Sequence, residues 1–256
     1  MVDNRYLGED DDLQVNTNSR LPVCLCIDVS MSMLRLFDDG TLVHTGRQEF
    51  RDGKMWDICE GGICLYNEMI EGINKFIDAI KNNEQANQSC EVAMVTFSDD
   101  ALVVEDFKTV DRLEHVTETT FTLGDNTNMA AGVKRALDLL EARKNKYKAN
   151  GVDYYQPWLV LFTDGEPTDT VYSVQERCKE LEELKKLSVF AFALTEDADK
   201  SALAGFSNKR KPLSIKVGKL EECFEWLGKS VGVVTISNPG DSVKLDTTDI
   251  SDWGTL

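Results

Sequence analysis

The 256-residue chain is 42% hydrophobic and 29% charged, with 45 acidic against 28 basic side chains and a formal net charge of −17. This is the composition of a folded globular protein, and so large an acidic excess argues against the clustered cations that nucleic acid and anionic membranes require, leaving cationic partners favoured. No apolar stretch reaches the roughly 20 residues of a membrane helix, Glu9-Asp10-Asp11-Asp12 is the reverse of a signal peptide's basic start, and seven scattered cysteines read as reduced thiols, so the expected setting is cytoplasmic.

Residues 1–20 are polar, acid-rich and without periodicity, and are expected to be an acidic N-terminal tail. The first element is a strand over Leu21 to Ile27, continuously apolar as a strand covered on both faces should be, and it runs into Asp28-Val29-Ser30-Met31-Ser32. An insertion of about thirty residues, 34–63, then precedes the first helix. It carries His44, Arg47, Arg51, Lys54 and Trp56, and its expected role is a cap over a crevice or a partner-binding surface, with Arg47 and Trp56 as candidate contacts. The alternative is a surface loop or small hairpin with no role. Cys59 and Cys64 lack the second close pair that a structural zinc site wants.

A helix is expected over about Leu65 to Lys81, where Met69, Ile70, Ile73, Phe76, Ile77 and Ile80 recur at three- and four-residue intervals. Strands over Glu91 to Phe97 and Ala101 to Asp106, joined by Ser98-Asp99-Asp100, read as an antiparallel hairpin at one edge of a sheet. Thr127 stands just before a helix over Met129 to about Asn145 that turns Val133, Leu137 and Leu140 inward. Trp158 to Thr163 is the next buried strand, closed by Asp164-Gly165. Glu166 is a candidate partner contact, and Thr168 or Asp169 is expected to cap the following helix, from about Val171 to Lys186. A strand over Ser188 to Leu194, a short helix near Ser201, a weak strand over Ser214 to Val217 and a helix from Leu220 to about Val234 complete the pattern. From 236 to 256, Pro239, Gly240 and four aspartates read as an acidic C-terminal tail.

Strands alternating with helices predict a single α/β domain over 21–235: a doubly wound, mostly parallel six-stranded sheet with one antiparallel edge strand and helices on both faces. Ligands of such sheets sit beyond the carboxyl ends of the strands, where Asp28 and Asp164 both fall. Carboxylates with the hydroxyls of Ser30, Ser32 and Thr127 form a hard-cation site suited to Mg²⁺, with Mn²⁺ or Ca²⁺ as alternatives. A metal held mostly by neutral ligands stays electron-poor and takes a carboxylate or phosphate from another molecule, which points to binding before catalysis.

This constellation resembles the von Willebrand factor type A domains, whose metal-ion-dependent adhesion site combines D-x-S-x-S, a Thr and an Asp on three loops. Pro157 to Asp169 and Phe224-Glu225-Trp226-Leu227 look most like the bacterial tellurium-resistance TerY-type members. The resemblance implies that Ser30, Ser32 and Thr127 are direct ligands and that Asp28 and Asp164 act partly through water. It also implies a protein partner that supplies an Asp or Glu to the metal, in a tellurite or stress-resistance system with phosphatase- or kinase-like components. No catalytic machinery is expected: a dehalogenase-type phosphatase would carry an acid where Ser30 stands, and neither His44 nor His115 lies in a triad context. The remaining alternative is a metal-independent scaffold that binds through the insertion and tails.

Overall fold

The computed structural model describes Leu13 and residues 16–255, except Asp52 and the side chains of Arg51 and Lys54. Most of the expected tail over 1–20 lies outside the described residues. In chain order the strands are β1 (Leu21–Asp28), β2 (Leu36–Phe37), β3 (Val43–Arg51), β4 (Lys54–Glu60), β5 (Ile63–Cys64), β6 (Cys90–Phe97), β7 (Ala101–Thr109), β8 (Trp158–Thr163), β9 (Ser188–Ala193), β10 (Leu213–Ile215) and β11 (Gly254–Thr255). The helices are α1 (Leu65–Lys81), α2 (Glu84–Ser89), α3 (Met129–Ala149), α4 (Tyr172–Glu183), α5 (Lys200–Ala204), α6 (Leu220–Thr235) and α7 (Ile250–Trp253).

The central sheet has the order β11-β10-β9-β8-β1-β6-β7, parallel from β10 to β6 and antiparallel at β7 and β11. It holds seven strands where the sequence predicts six. Alternation along β1 explains its unbroken apolar run: Leu21, Val23, Leu25 and Ile27 join the core under α1 and α6, while Cys24 and Cys26 join the core under α3 and α4. Gly72 of α1 lets α6 approach closely, since a Cβ there would sit 2.2 Å from the Phe224 ring. All seven cysteines are free thiols and five are buried, so they act as small core residues.

One charged cluster lies inside this core. Glu91 of β6 is fully buried and accepts from Arg143 Nε at 2.6 Å and Arg143 Nη2 at 2.9 Å. Tyr147 OH also donates to it, and Arg20 Nε lies 3.7 Å away. The arrangement satisfies both carboxylate oxygens and fastens α3 to the sheet.

The insertion takes the hairpin form among its expected alternatives, whereas the C-terminal segment differs from the expected tail. The insertion is a folded excursion: β3 and β4 pair antiparallel with a register shift between His44 and Gln48, and β2 pairs with β5 to bring its two ends together. The C-terminal segment is not a free tail throughout. α7 buries Ile250 and Trp253, β11 pairs with β10, and Trp226 Nε1 donates to the Asp246 carbonyl at 2.6 Å. Two buried side chains and a strand pairing outweigh the segment's polar composition.

Candidate metal centre

β1 is the switch point of the sheet, because the chain leaves it toward β6 on one side and β8 lies on the other. Asp28 ends β1 and Asp164 follows the last residue of β8. After β1, the Ser30 amide donates to Asp28 Oδ1 at 2.9 Å and the Thr163 hydroxyl donates to Asp28 Oδ2 at 2.5 Å. Ser30 Oγ lies 2.9 Å from Ser32 Oγ, which donates to Asp164 Oδ1 at 2.8 Å. A single hydrogen-bonded chain therefore links Asp28, Ser30, Ser32 and Asp164, over 132 residues of sequence between the last two.

Thr127 reaches the same place on a third loop. Its hydroxyl lies 3.8 Å from where a Cβ on Gly165 would stand, and it makes no hydrogen bond among the described residues. The loop is laced to the others by backbone: Met31 N donates to the Gly124 carbonyl at 2.8 Å and Gly124 N to the Val29 carbonyl at 3.1 Å. Gly124 is needed there, because a Cβ would sit 2.5 Å from Ser98 Oγ and 2.8 Å from Asp99 Oδ2. Asp99 holds the next turn by accepting from the Asn126 amide at 2.9 Å.

Thr168 and Asp169 correct an expectation. They do not cap α4. Thr168 Oγ1 accepts from the Thr127 amide at 3.1 Å and so holds that loop, while the Asp169 carboxylate accepts from Ala130 N at 2.9 Å and Ala131 N at 3.0 Å and caps α3. The loop after β8 thus positions both Asp164 and Thr127. Asp99, Gly124 and Thr163 are supports to which the sequence reading gives no role, and Asp169 supports a different helix from the expected one; the hydroxyl one residue before Asp164 is the visible signal.

The donors fit a hard divalent cation. Asp28 and Asp164 are buried, and neither is in an ion pair among the described residues. Among the described residues no group of three or more His, Cys, Asp and Glu gathers, and the side chains linked here offer two carboxylates and neutral hydroxyls, an oxygen set of the kind hard cations take. Burial pushes the Asp28 carboxyl from 3.8 up to about 6, against the hydrogen bonds from Thr163 and Ser30 and with help from the Asp164 charge. Burial also raises Asp164, opposed by the Ser32 hydrogen bond.

A cation held at Asp28 would compete with the proton for its carboxylate. Divalent-ion affinity is therefore expected to be level above neutral pH and to fall about tenfold per unit as pH drops through about 6. Mn²⁺ titrations between acid and neutral pH check this, and a flat profile contradicts it. The metal-free fold should respond with the opposite sign, since a raised carboxyl contributes stability that is present below 3.8 and lost as pH rises through about 6.

The site opens on a cleft of about 690 Å³ lined by Ser32, Arg35, Asp164, Glu166 and the loop from Thr195 to Lys200. Arg35 Nη1 pairs with Asp197 at 2.6 Å and joins the exit of the loop after β1 to the loop after β9. Glu166 is exposed on the cleft wall. Arg47 and Trp56 are not in the cleft lining. Arg47 sits on β3, paired with Glu60 at 3.4 Å, and Trp56 sits half-exposed on β4.

A family model described as von Willebrand factor type A domain matches residues 65–223. The match begins at the start of α1, so the loop holding Asp28, Ser30 and Ser32 lies ahead of it, separated by the β2–β5 excursion. Among solved structures the chain is similar to the pilus adhesin SpaC from Lactobacillus rhamnosus GG, with a TM-score of 0.61 and 11% identity over 86% of this chain and 32% of that one. It is similar to a von Willebrand factor type A protein from Catenulispora acidiphila, with a TM-score of 0.55 and 14% identity over 84% and 43%. It is also similar to proximal thread matrix protein 1 from the mussel byssus, solved with a zinc-occupied MIDAS motif, with a TM-score of 0.51 and 15% identity over 86% and 47%. The chain spans less than half the length of each of these, and at such identities they show the fold alone. No curated protein matches it in sequence. With the family model covering more than half of the chain, and with the fold agreeing, the protein belongs to the von Willebrand factor type A domain family.

Proposed function

We propose that this protein is a metal-ion-dependent protein-binding module and not an enzyme, in which Asp28, Ser30, Ser32, Thr127 and Asp164 hold one Mg²⁺. The observation that carries this is the hydrogen-bonded chain from Asp28 to Asp164 through two serine hydroxyls, at the open end of the sheet. A divalent ion there supplies an electron-poor position for an Asp or Glu of a partner. The protein's own residues do the rest: Ser30 and Ser32 contribute oxygen without charge, Asp28 and Thr163 fix the loop, and Gly124 holds the three loops in contact. Mn²⁺ or Ca²⁺ could use the same oxygens, and the mussel protein named above holds zinc at its own motif.

Glu166, Glu196, Asp197 and Asp199 at the cleft favour a partner whose acidic group is flanked by basic residues. The β3–β4 hairpin is the second contact surface in this reading. Phe50 is 68% exposed, Met55 56% and Trp56 49%, on a two-stranded sheet that has no third strand among the described residues. These exposed side chains also favour the metal-independent scaffold as the competing reading.

Placement in the cytoplasm rests on the free thiols. Placement in a tellurite or stress-resistance system, with phosphatase- or kinase-like partners, rests on the resemblance of Pro157 to Asp169 and of Phe224-Glu225-Trp226-Leu227 to TerY-type sequences. Partner capture from the native host in Mg²⁺, in chelator and with Asp28→Asn tests the function. A partner lost in both latter conditions supports metal-bridged recognition; one retained in both supports the scaffold. Replacing residues 43–60 by a short linker is expected to weaken partner binding at least about tenfold while leaving Mn²⁺ affinity within twofold. Unchanged partner binding would make the hairpin a bystander.

A further inference from the structure

A second cavity, of about 420 Å³, lies between the β9–β10 side of the sheet, α6 and the chain that follows α6. Its volume is within the range of roughly 300–1,000 Å³ typical of small-molecule sites. Its charge is opposite to that of the metal cleft. Lys209, Arg210 and Lys211 line it and no acidic side chain does, in a chain with 45 acidic residues and 28 basic ones. The remaining wall is apolar, with Phe190, Phe192 and Trp226 on one side and Val243 and Leu245 on the other.

The cations are engaged to different degrees: Lys209 Nζ donates to the Glu182 backbone carbonyl, and Arg210 is only loosely paired. The Arg210 guanidinium lies 4.6 Å from the centre of the Phe190 ring, and its ion pair with Glu182 is long, at 3.8 Å. Glu182 is already engaged by the Val189 amide at 3.1 Å and the Ser207 hydroxyl at 2.7 Å. Lys211 is exposed and makes no ion pair among the described residues. Asp246, on the covering segment, turns its carboxylate to the Thr248 amide and hydroxyl at 2.9 and 2.8 Å.

We propose that this cavity binds a small amphiphilic anion, with its apolar body among Phe190, Phe192, Trp226 and Leu245 and its carboxylate on Arg210 and Lys211. The aromatic wall takes an alkyl chain or a flat ring, and the adjacent cations select a negative head over a neutral or positive one. Trp226 is in the wall and serves as the optical reporter.

The test is calorimetric and fluorescence titration of the full chain with decanoate, decanol and decyltrimethylammonium. The expected result is saturable one-to-one decanoate binding that changes the total tryptophan emission, with at least about tenfold weaker binding of the other two. Arg210→Gln with Lys211→Gln should weaken decanoate binding by a similar factor, and Leu245→Trp, which fills the space, should abolish it. Asp28→Asn should leave it unchanged, which separates this site from the metal centre. Lys211→Gln alone, at an exposed position, carries the charge test if the double variant melts abnormally. Non-saturable binding, or equal affinity for decanoate and decanol in all charge variants, would overturn the proposal.

Discussion

Asp28→Asn is expected to lower divalent-ion affinity by at least about a hundredfold and, at neutral pH without metal, to raise the melting temperature. The first effect follows because Asp28 is one of two carboxylates at the site, and even outer partners of metal ligands are worth about 10–100-fold. The second follows from burial. Holding Asp28 ionised at neutral pH, with its carboxyl raised from 3.8 to about 6, costs on the order of 3 kcal/mol. Asparagine removes that cost and keeps the local bonding: its oxygen accepts from the Ser30 amide, and the Thr163 hydroxyl rotates to accept from its NH₂. Neutral hydrogen bonds are weaker than those to a carboxylate, so a net gain of roughly 1–2 kcal/mol remains, or about 2–6 °C for a chain of this size. Calorimetric melting with and without Mg²⁺ reads both effects. A variant that is less stable without metal would show that Asp28 supports the fold more than it burdens it.

Glu91→Ala is expected to be the most damaging single substitution in the core, with a loss of about 3–5 kcal/mol in urea unfolding. The change removes the acceptor of both Arg143 nitrogens and of Tyr147 OH, and leaves the buried Arg143 and Arg20 side chains without their shared carboxylate. Glu91→Gln should lose less, because one oxygen still accepts and the shape is kept. A loss below about 1 kcal/mol for the alanine variant would mean that water or a rearranged neighbour replaces the carboxylate. Divalent-ion affinity should hold at temperatures where the variant remains folded, since Glu91 lies near the start of β6 and the site lies beyond the strands' other end.

The central elements were legible because their physics is local. Leu21 to Asp28 and Trp158 to Thr163 are buried along their whole length, and α1 spans the predicted residues because its apolar positions recur at helical spacing. The order of Asp28-x-Ser30-x-Ser32, Thr127 and Asp164 on loops after strands was enough to gather the candidate ligands. For the β3–β4 hairpin the sequence leaves loop and hairpin both open: its strands have no core behind them to impose an apolar face, so Val43 to Arg51 carries mixed polar residues. The sequence offers Thr168 or Asp169 to the helix that follows, whereas the Asp169 acceptors meet amides of Ala130 and Ala131, 39 and 38 residues back, which only the closed sheet reveals. The C-terminal segment misled through composition. Pro239, Gly240 and the aspartates describe its exposed stretch, while Ile250 and Trp253 decide where it docks.

Proton relaxation of water during Mn²⁺ titration tests the metal-bridging account most directly, because it reports both the bound ion and the water left in its open position. The account predicts one Mn²⁺ per chain with enhanced relaxation, displacement by Mg²⁺, partial loss of the enhancement when a small carboxylate such as acetate is added, and no such site in Asp28→Asn. Binding of equal strength in Asp28→Asn, or no Mn²⁺ binding by the wild-type protein at neutral pH, would contradict it.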